Sequence, residues 1–241
     1  MAFPLSNSVK EFITEDLIKK MAYDLGESAG GFEKAIHGAI PTVFTGFIHK
    51  IADEGGSQEI FSKALQSVNK KKSGNLEGLP ESFSEVQEDP GSWIFGDKLN
   101  GIIRMISGYS GINEVSAGKA IQCVIPKALE VLGGEIVQNK WKSSGLNQYF
   151  ESEKESIFES IPTTLPVFKT LGYNHPDELR ENFQNRVSKM EAHFQEEESK
   201  SPSPLKVFEF KKGGTIRFII PILVGLVLII LFYFFFKGCY K

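Results

Sequence analysis

The chain has 241 residues, of which 41% are hydrophobic and 24% charged, with a formal net charge of −3. That is enough for one globular domain with further segments, and it excludes the global positive field that would draw a nucleic acid. Two cysteines, Cys123 and Cys239, cannot make a disulfide framework, which fits a reducing compartment.

Charges at Lys10, Glu11, Glu15, Asp16, Lys19 and Lys20 interrupt any apolar run of signal-peptide type near the N-terminus. A repeat comes next. KAIHGAIP at 34–41 returns as KAIQCVIP at 119–126, and the match extends without a gap over 17–52 and 102–137. Ile18, Gly26, Ile40, Pro41 and Ile51 recur as Ile103, Gly111, Ile125, Pro126 and Ile136. The apolar spacing recurs as well. Ile36, Ile40, Phe44, Phe47 and Ile51 lie on one helical stripe, and Ile121, Ile125, Leu129, Leu132 and Ile136 lie on another.

Each copy reads as helix, glycine break, helix. Gly26 and Gly111 are placed to end the first helix in the left-handed conformation. Pro41 and Pro126 fall inside the second apolar pattern, where a missing donor and a clash one turn back should kink or divide the helix. The repeated octapeptide therefore reads as a structural hinge, with Gly26, Pro41, Gly111 and Pro126 as its four positions. One such helix pair leaves its stripe uncovered, so two copies are expected to pack on each other as a pseudo-symmetric bundle.

Residues 57–69 predict a helix after the first repeat. Residues 69–92, polar and rich in Gly, Pro and charge, predict a loop. Residues 146–161 predict a helix after the second repeat, and TTLPVFKTLGY closes a domain spanning 1–173. No stretch alternates long enough for a strand, so the fold class is all-α. NHPDELRENF opens an amphipathic helix over 174–198, with Pro176 suited to the first turn and Asp177 and Glu178 suited to its positive end. Leu179, Phe183, Val187, Met190 and Phe194 line its apolar face, which either docks on the bundle or pairs with a second copy. Residues 199–216 read as a linker.

FIIPILVGLVLIILFYFFF, residues 218–236, carries no charge. As a helix it would be roughly 28 Å long, close to the hydrocarbon thickness of a bilayer. A single transmembrane helix over 217–237 is expected, followed by a short tail at 238–241. Lys206, Lys211, Lys212 and Arg217 precede it, and Lys237 and Lys241 follow. The heavier positive flank is N-terminal, so the folded domain should face the cytoplasm.

Linear signatures of catalysis are missing. His37, His49, His175 and His193 show no metal-ligand spacing, and no phosphate loop, dinucleotide fingerprint or serine elbow is present. No enzyme, cofactor, small-molecule ligand or nucleic acid is expected. The glycine pairs at 30–31, 55–56 and 133–134 read as helix breaks. Cys239, just beyond the span, reads as a free thiol.

LGESAGGFEKAIHGAIPTVFTGFIHKIA, FGDKLNGIIRMISGYSGINEVSAGKAIQCVIPKALEVLGG and SEKESIFESIPTTLPVF together resemble the bacterial family called domain of unknown function 937. The resemblance implies a helical domain in bacteria, with no activity or catalytic residue to transfer. Some members follow the span with an OmpA-like, wall-binding module, and this sequence shows none. The expectation is a helical interaction or scaffold module on the bacterial inner membrane, binding a protein partner or its own copies. The rival expectations are a membrane-surface enzyme and an envelope-structure protein acting with OmpA-like partners.

Overall fold

The computed structural model describes residues 4–72 and 90–200. Residues through Gln195 make up one compact unit, and the fold below is that unit. Every regular element among the described residues is helical.

The chain begins with α1 (Pro4–Phe12) and α2 (Glu15–Leu25). Thr14 caps α2, its side chain accepting from the Leu17 amide, and Glu15 and Asp16 sit at the positive end of the helix. Gly26 ends α2 at φ 69°, ψ 26°, a left-handed cap whose amide donates to the Ala22 and Tyr23 carbonyls. Ser28 then caps α3 (Ala29–Ala52), accepting from the Gly31 amide. The same local grammar returns later. α6 (Leu99–Ser110) ends at Gly111, φ 76°, and Asn113 caps α7 (Glu114–Gln138) by accepting from the Ser116 amide. After α3 comes α4 (Gly56–Lys72), and after α7 comes α8 (Ser143–Glu159). Between the two sets lie α5 (Ser92–Phe95) and a 3₁₀ turn (Gly96–Lys98). α9 (Val167–Leu171) and α10 (Pro176–Lys200) complete the described chain.

α3 is the centre of the body. The stripe Ile36, Ile40, Phe44, Phe47 and Ile51 is buried, but so are Gly38, Ala39, Thr42, Val43, Thr45 and Ile48 on its other faces. It packs against α7, α6, α8, α2, α4, α5, α9 and α1. The second stripe, Ile121, Ile125, Leu129, Leu132 and Ile136, is buried as well, and α7 packs chiefly on α4 and α3.

Neither proline divides its helix: α3 is continuous through Pro41 and α7 through Pro126. Of the two outcomes expected there, a kink or a division, the division does not occur. In α3 the Thr42 hydroxyl donates to the Gly38 carbonyl (2.7 Å) and the Thr45 hydroxyl to the Pro41 carbonyl (2.8 Å). Such back-bonding bends a helix without breaking it, and the surrounding core holds the segment in place. α7 handles its proline differently. Pro126 is exposed, and Lys127 pairs with Glu130 (3.0 Å) beneath the Phe12 ring of α1.

Two further expectations change. α4 carries residues 69–72 into the helix, ahead of residues 73–89, which lie outside the described set. Gly133 and Gly134 lie inside α7, not at a break. Gly133 is where α7 meets α4: a Cβ there would stand 2.2 Å from the Ala64 carbonyl oxygen. The helix needs no turn at this point. It needs a missing side chain so that two backbones can approach.

Of the two arrangements open to α10, its first turns take the docked one. Leu179, Phe183 and Val187 are buried in the common core, with Met190 partly so. Arg180 fastens the helix to α8. Its Nε and Nη2 donate to the Glu155 carboxylate at 2.9 and 2.7 Å, and its guanidinium lies over the Phe158 ring.

Candidate functional site

Gly26 and Gly111 each cap a helix in the left-handed conformation. The turns they form face each other: Glu27 Oε1 accepts from the Asn113 backbone amide at 2.9 Å, and Gly31 abuts Ile112. A side chain at Gly31 would meet Ile112 Cγ2 at 2.9 Å, so the first turn of α3 is pressed against the α6–α7 turn. Lys211, Lys212, Arg217 and Lys237, together with the expected span at 217–237, lie outside the described residues. Among the described residues no helix is long and apolar enough to cross a membrane.

His37 is exposed on α3. His49 is half-buried and its Nδ1 lies 2.7 Å from the Tyr173 hydroxyl, with the rings edge to face. Burial lowers the His49 pKa, and burial likewise raises that of Tyr173. Among the described residues no group of His, Cys, Asp and Glu is arranged to hold a metal ion. Burial pushes the Cys123 thiol up to about 12, which makes it an inert core side chain.

A cavity of about 390 Å³ lies where three parts of the chain converge. The α3–α4 turn and first turn of α4 supply Glu54, Gly55, Ser57 and Gln58. The start of α8 supplies Ser143 and Asn147, and one face of α10 supplies Arg186, Lys189 and Met190. The Ser57 hydroxyl donates to Asn147 Oδ1 at 2.6 Å, tying the N-terminal ends of α4 and α8 together. Both residues are buried, each 4% exposed. The Asn147 amide nitrogen meets only a weak acceptor, Met190 Sδ, at 3.8 Å. Arg186 Nε is buried and has no hydrogen-bond partner. Lys142, at the N-cap position of α8, gives that helix no side-chain cap.

This arrangement suits anion binding. Two helix N-termini supply unpaired amides and the positive ends of their dipoles. Arg186 and Lys189 add two cations against the single carboxylate of Glu54. The one well-held hydroxyl, Ser57, is bonded to an amide oxygen, which is no base to activate it. Sequence reasoning missed the cavity because no segment carries a recognisable motif. The available signals were weak: two helix starts that lack an acidic first residue, and a basic pair on one face of α10.

The sequence matches the model of a family described as bacterial protein of unknown function (DUF937) over residues 7–135. The chain belongs to this family. No curated protein and no solved structure is significantly similar to it. The DUF937 match runs from α1 to Glu135, near the end of α7, and stops short of the SEKESIFESIPTTLPVF stretch. It takes in Glu54–Gln58 but not Ser143, Asn147, Arg186 or Lys189. The cavity is therefore closed by residues beyond the family match.

Proposed function

We propose that this DUF937 chain is a membrane-tethered interaction module in the bacterial cell envelope. Its helical body would be held at the cytoplasmic face of the inner membrane and bind a protein partner or further copies of itself. The observation that carries this reading is the uncharged run at 218–236, bounded by more lysine and arginine before it than after. The body itself is read as containing two copies of one helical unit, α2–α3 and α6–α7. The matching glycine caps and matching proline positions support that reading.

The test is fractionation. Full-length protein should stay with the membrane pellet through alkaline carbonate washing, and a chain ending at residue 204 should leave it. Equal release of both would sink the tether. Orientation is read from cysteine labelling: in spheroplasts a membrane-impermeant maleimide should reach Cys239 without lysis. Capture from gently solubilised membranes then separates partners, and recovery of OmpA-like proteins would move the assignment to an envelope-structure role. A membrane-surface enzyme is the second reading, favoured by the convergence of Arg186, Lys189 and Glu54 on one cavity.

A further inference from the structure

We propose that the cavity between the first turns of α4 and α8 and the face of α10 is a binding site for a phosphate monoester or phosphodiester group. The inference stands apart from the membrane tether and needs only the folded body. It rests on a set of donors that converge and, among the described residues, meet no strong acceptor. Arg186 makes no hydrogen bond or ion pair among the described residues, although its Nε is fully enclosed. A guanidinium that is half-buried and unpaired is costly unless an anion completes it. Lys189, one turn further along α10, likewise makes no ion pair among the described residues and lines the same space. Ser57 occupies Asn147 Oδ1, so the buried amide is oriented with its donor end free for a stronger acceptor than Met190 Sδ.

The helix geometry points the same way. α4 and α8 are each seventeen residues long, and their N-terminal ends are joined through Ser57 and Asn147. Two dipoles therefore present their positive ends to one space. The size fits a phosphate bearing a small organic group, since the cavity falls in the range of small-molecule sites. Glu54 is the one acid in the lining, and it offers an acceptor to a hydroxyl or amine on that organic part. Because Arg186 and Lys189 come from α10 and the amides from α4 and α8, an occupant would bridge α10 to the body.

The phosphate has two chemical sources, a soluble phosphoester or a lipid headgroup, and one experiment separates them. Full-length protein in nonionic detergent is titrated by calorimetry with inorganic phosphate, with glycerol 3-phosphate, and with short-chain phosphatidylglycerol against phosphatidylcholine. The expected result is saturable binding that falls at least about tenfold in Arg186→Gln and also weakens in Lys189→Gln, whereas Lys20→Gln on α2 binds like the parent. Thermal melts of each variant report folding, and Arg186→Gln should fold because the side chain holds no internal partner. Arg186-dependent binding of the soluble phosphates assigns a soluble ligand. A response confined to phosphatidylglycerol assigns a headgroup. The proposal is overturned if the parent binds none of these probes at concentrations up to about 10 mM, or if Arg186→Gln and Lys189→Gln bind them unchanged.

Discussion

Gly133 and Gly134 are adjacent on α7, and replacing each with alanine should move stability in opposite directions. At Gly133 the added Cβ would stand 2.2 Å from the Ala64 carbonyl oxygen, 2.9 Å from its carbon and 2.6 Å from Val68 Cγ2. The oxygen belongs to the backbone of α4 and cannot rotate away. Ordinary contact begins near 3.4 Å, so α4 and α7 must part along their seam by roughly an ångström. A gap of that size forfeits about a quarter to a half of the dispersion energy along the seam. Overpacking of this kind costs about 1–3 kcal/mol and more where backbone is involved, while the helix propensity of alanine returns about 1 kcal/mol. The net expectation for Gly133→Ala is a loss of about 2 kcal/mol, or roughly 4–8 °C in melting temperature for a domain of this size. Gly134 is exposed, and a methyl group added there would meet nothing within 4 Å, so Gly134→Ala keeps only the propensity gain. It should raise the melting temperature by about 1–4 °C. Far-UV circular dichroism melts of the full chain and both variants decide the matter. A Gly133→Ala protein that melts at or above the parent would refute the close α4–α7 approach.

His49 supplies a pH dependence. Its folded pKa lies below the ordinary 6.5 because burial outweighs the nearby Asp53 and Asp97. The unfolded chain therefore binds the proton more readily, and stability should be full above pH 6.5 and decline as pH falls toward the folded value. His49→Asn should flatten that slope between about pH 5 and 7, and denaturant titrations at several pH values would read it. Cys123 is 1% exposed with its thiol pushed up to about 12, so thiol reagents should modify it only after denaturation. Prompt labelling of Cys123 in the native protein would contradict its place in the core. Deleting residues 1–68 removes α1 to α3 and most of α4, uncovering the stripe of α7. The remainder should show no cooperative melt, and a sharp transition would mean that α6–α8 form a core of their own.

Much of the local architecture was legible in the sequence because its causes are local. The helical period places Ile36, Ile40, Phe44, Phe47 and Ile51 on one stripe, and all five are buried. A glycine free of Cβ strain ends α2 and α6, at Gly26 and Gly111, and a polar cap two residues on starts each following helix. Pro176 opens α10, with the Glu178 carboxylate accepting from the Asn174 amide. α1 and α5 are too short for periodicity to single them out.

What a side chain or backbone meets across the core follows different rules. Periodicity describes one stripe per helix, yet α3 is buried on nearly every face because eight other helices pack against it. The proline rule predicts a break in an isolated helix, whereas α3, buried among its neighbours, runs through Pro41 unbroken. Gly133 has the look of a turn residue in the sequence, and its role comes from α4 lying against it. The cavity draws on residues 54–58, 143–147 and 186–190, whose proximity no local pattern encodes. Helices, their caps and their apolar faces could be read from the residues alone, since these depend on neighbours within one or two turns. Which backbones touch, which proline is buried and where unpaired donors converge depend on contacts between distant parts of the chain, and so emerge only once the chain is folded.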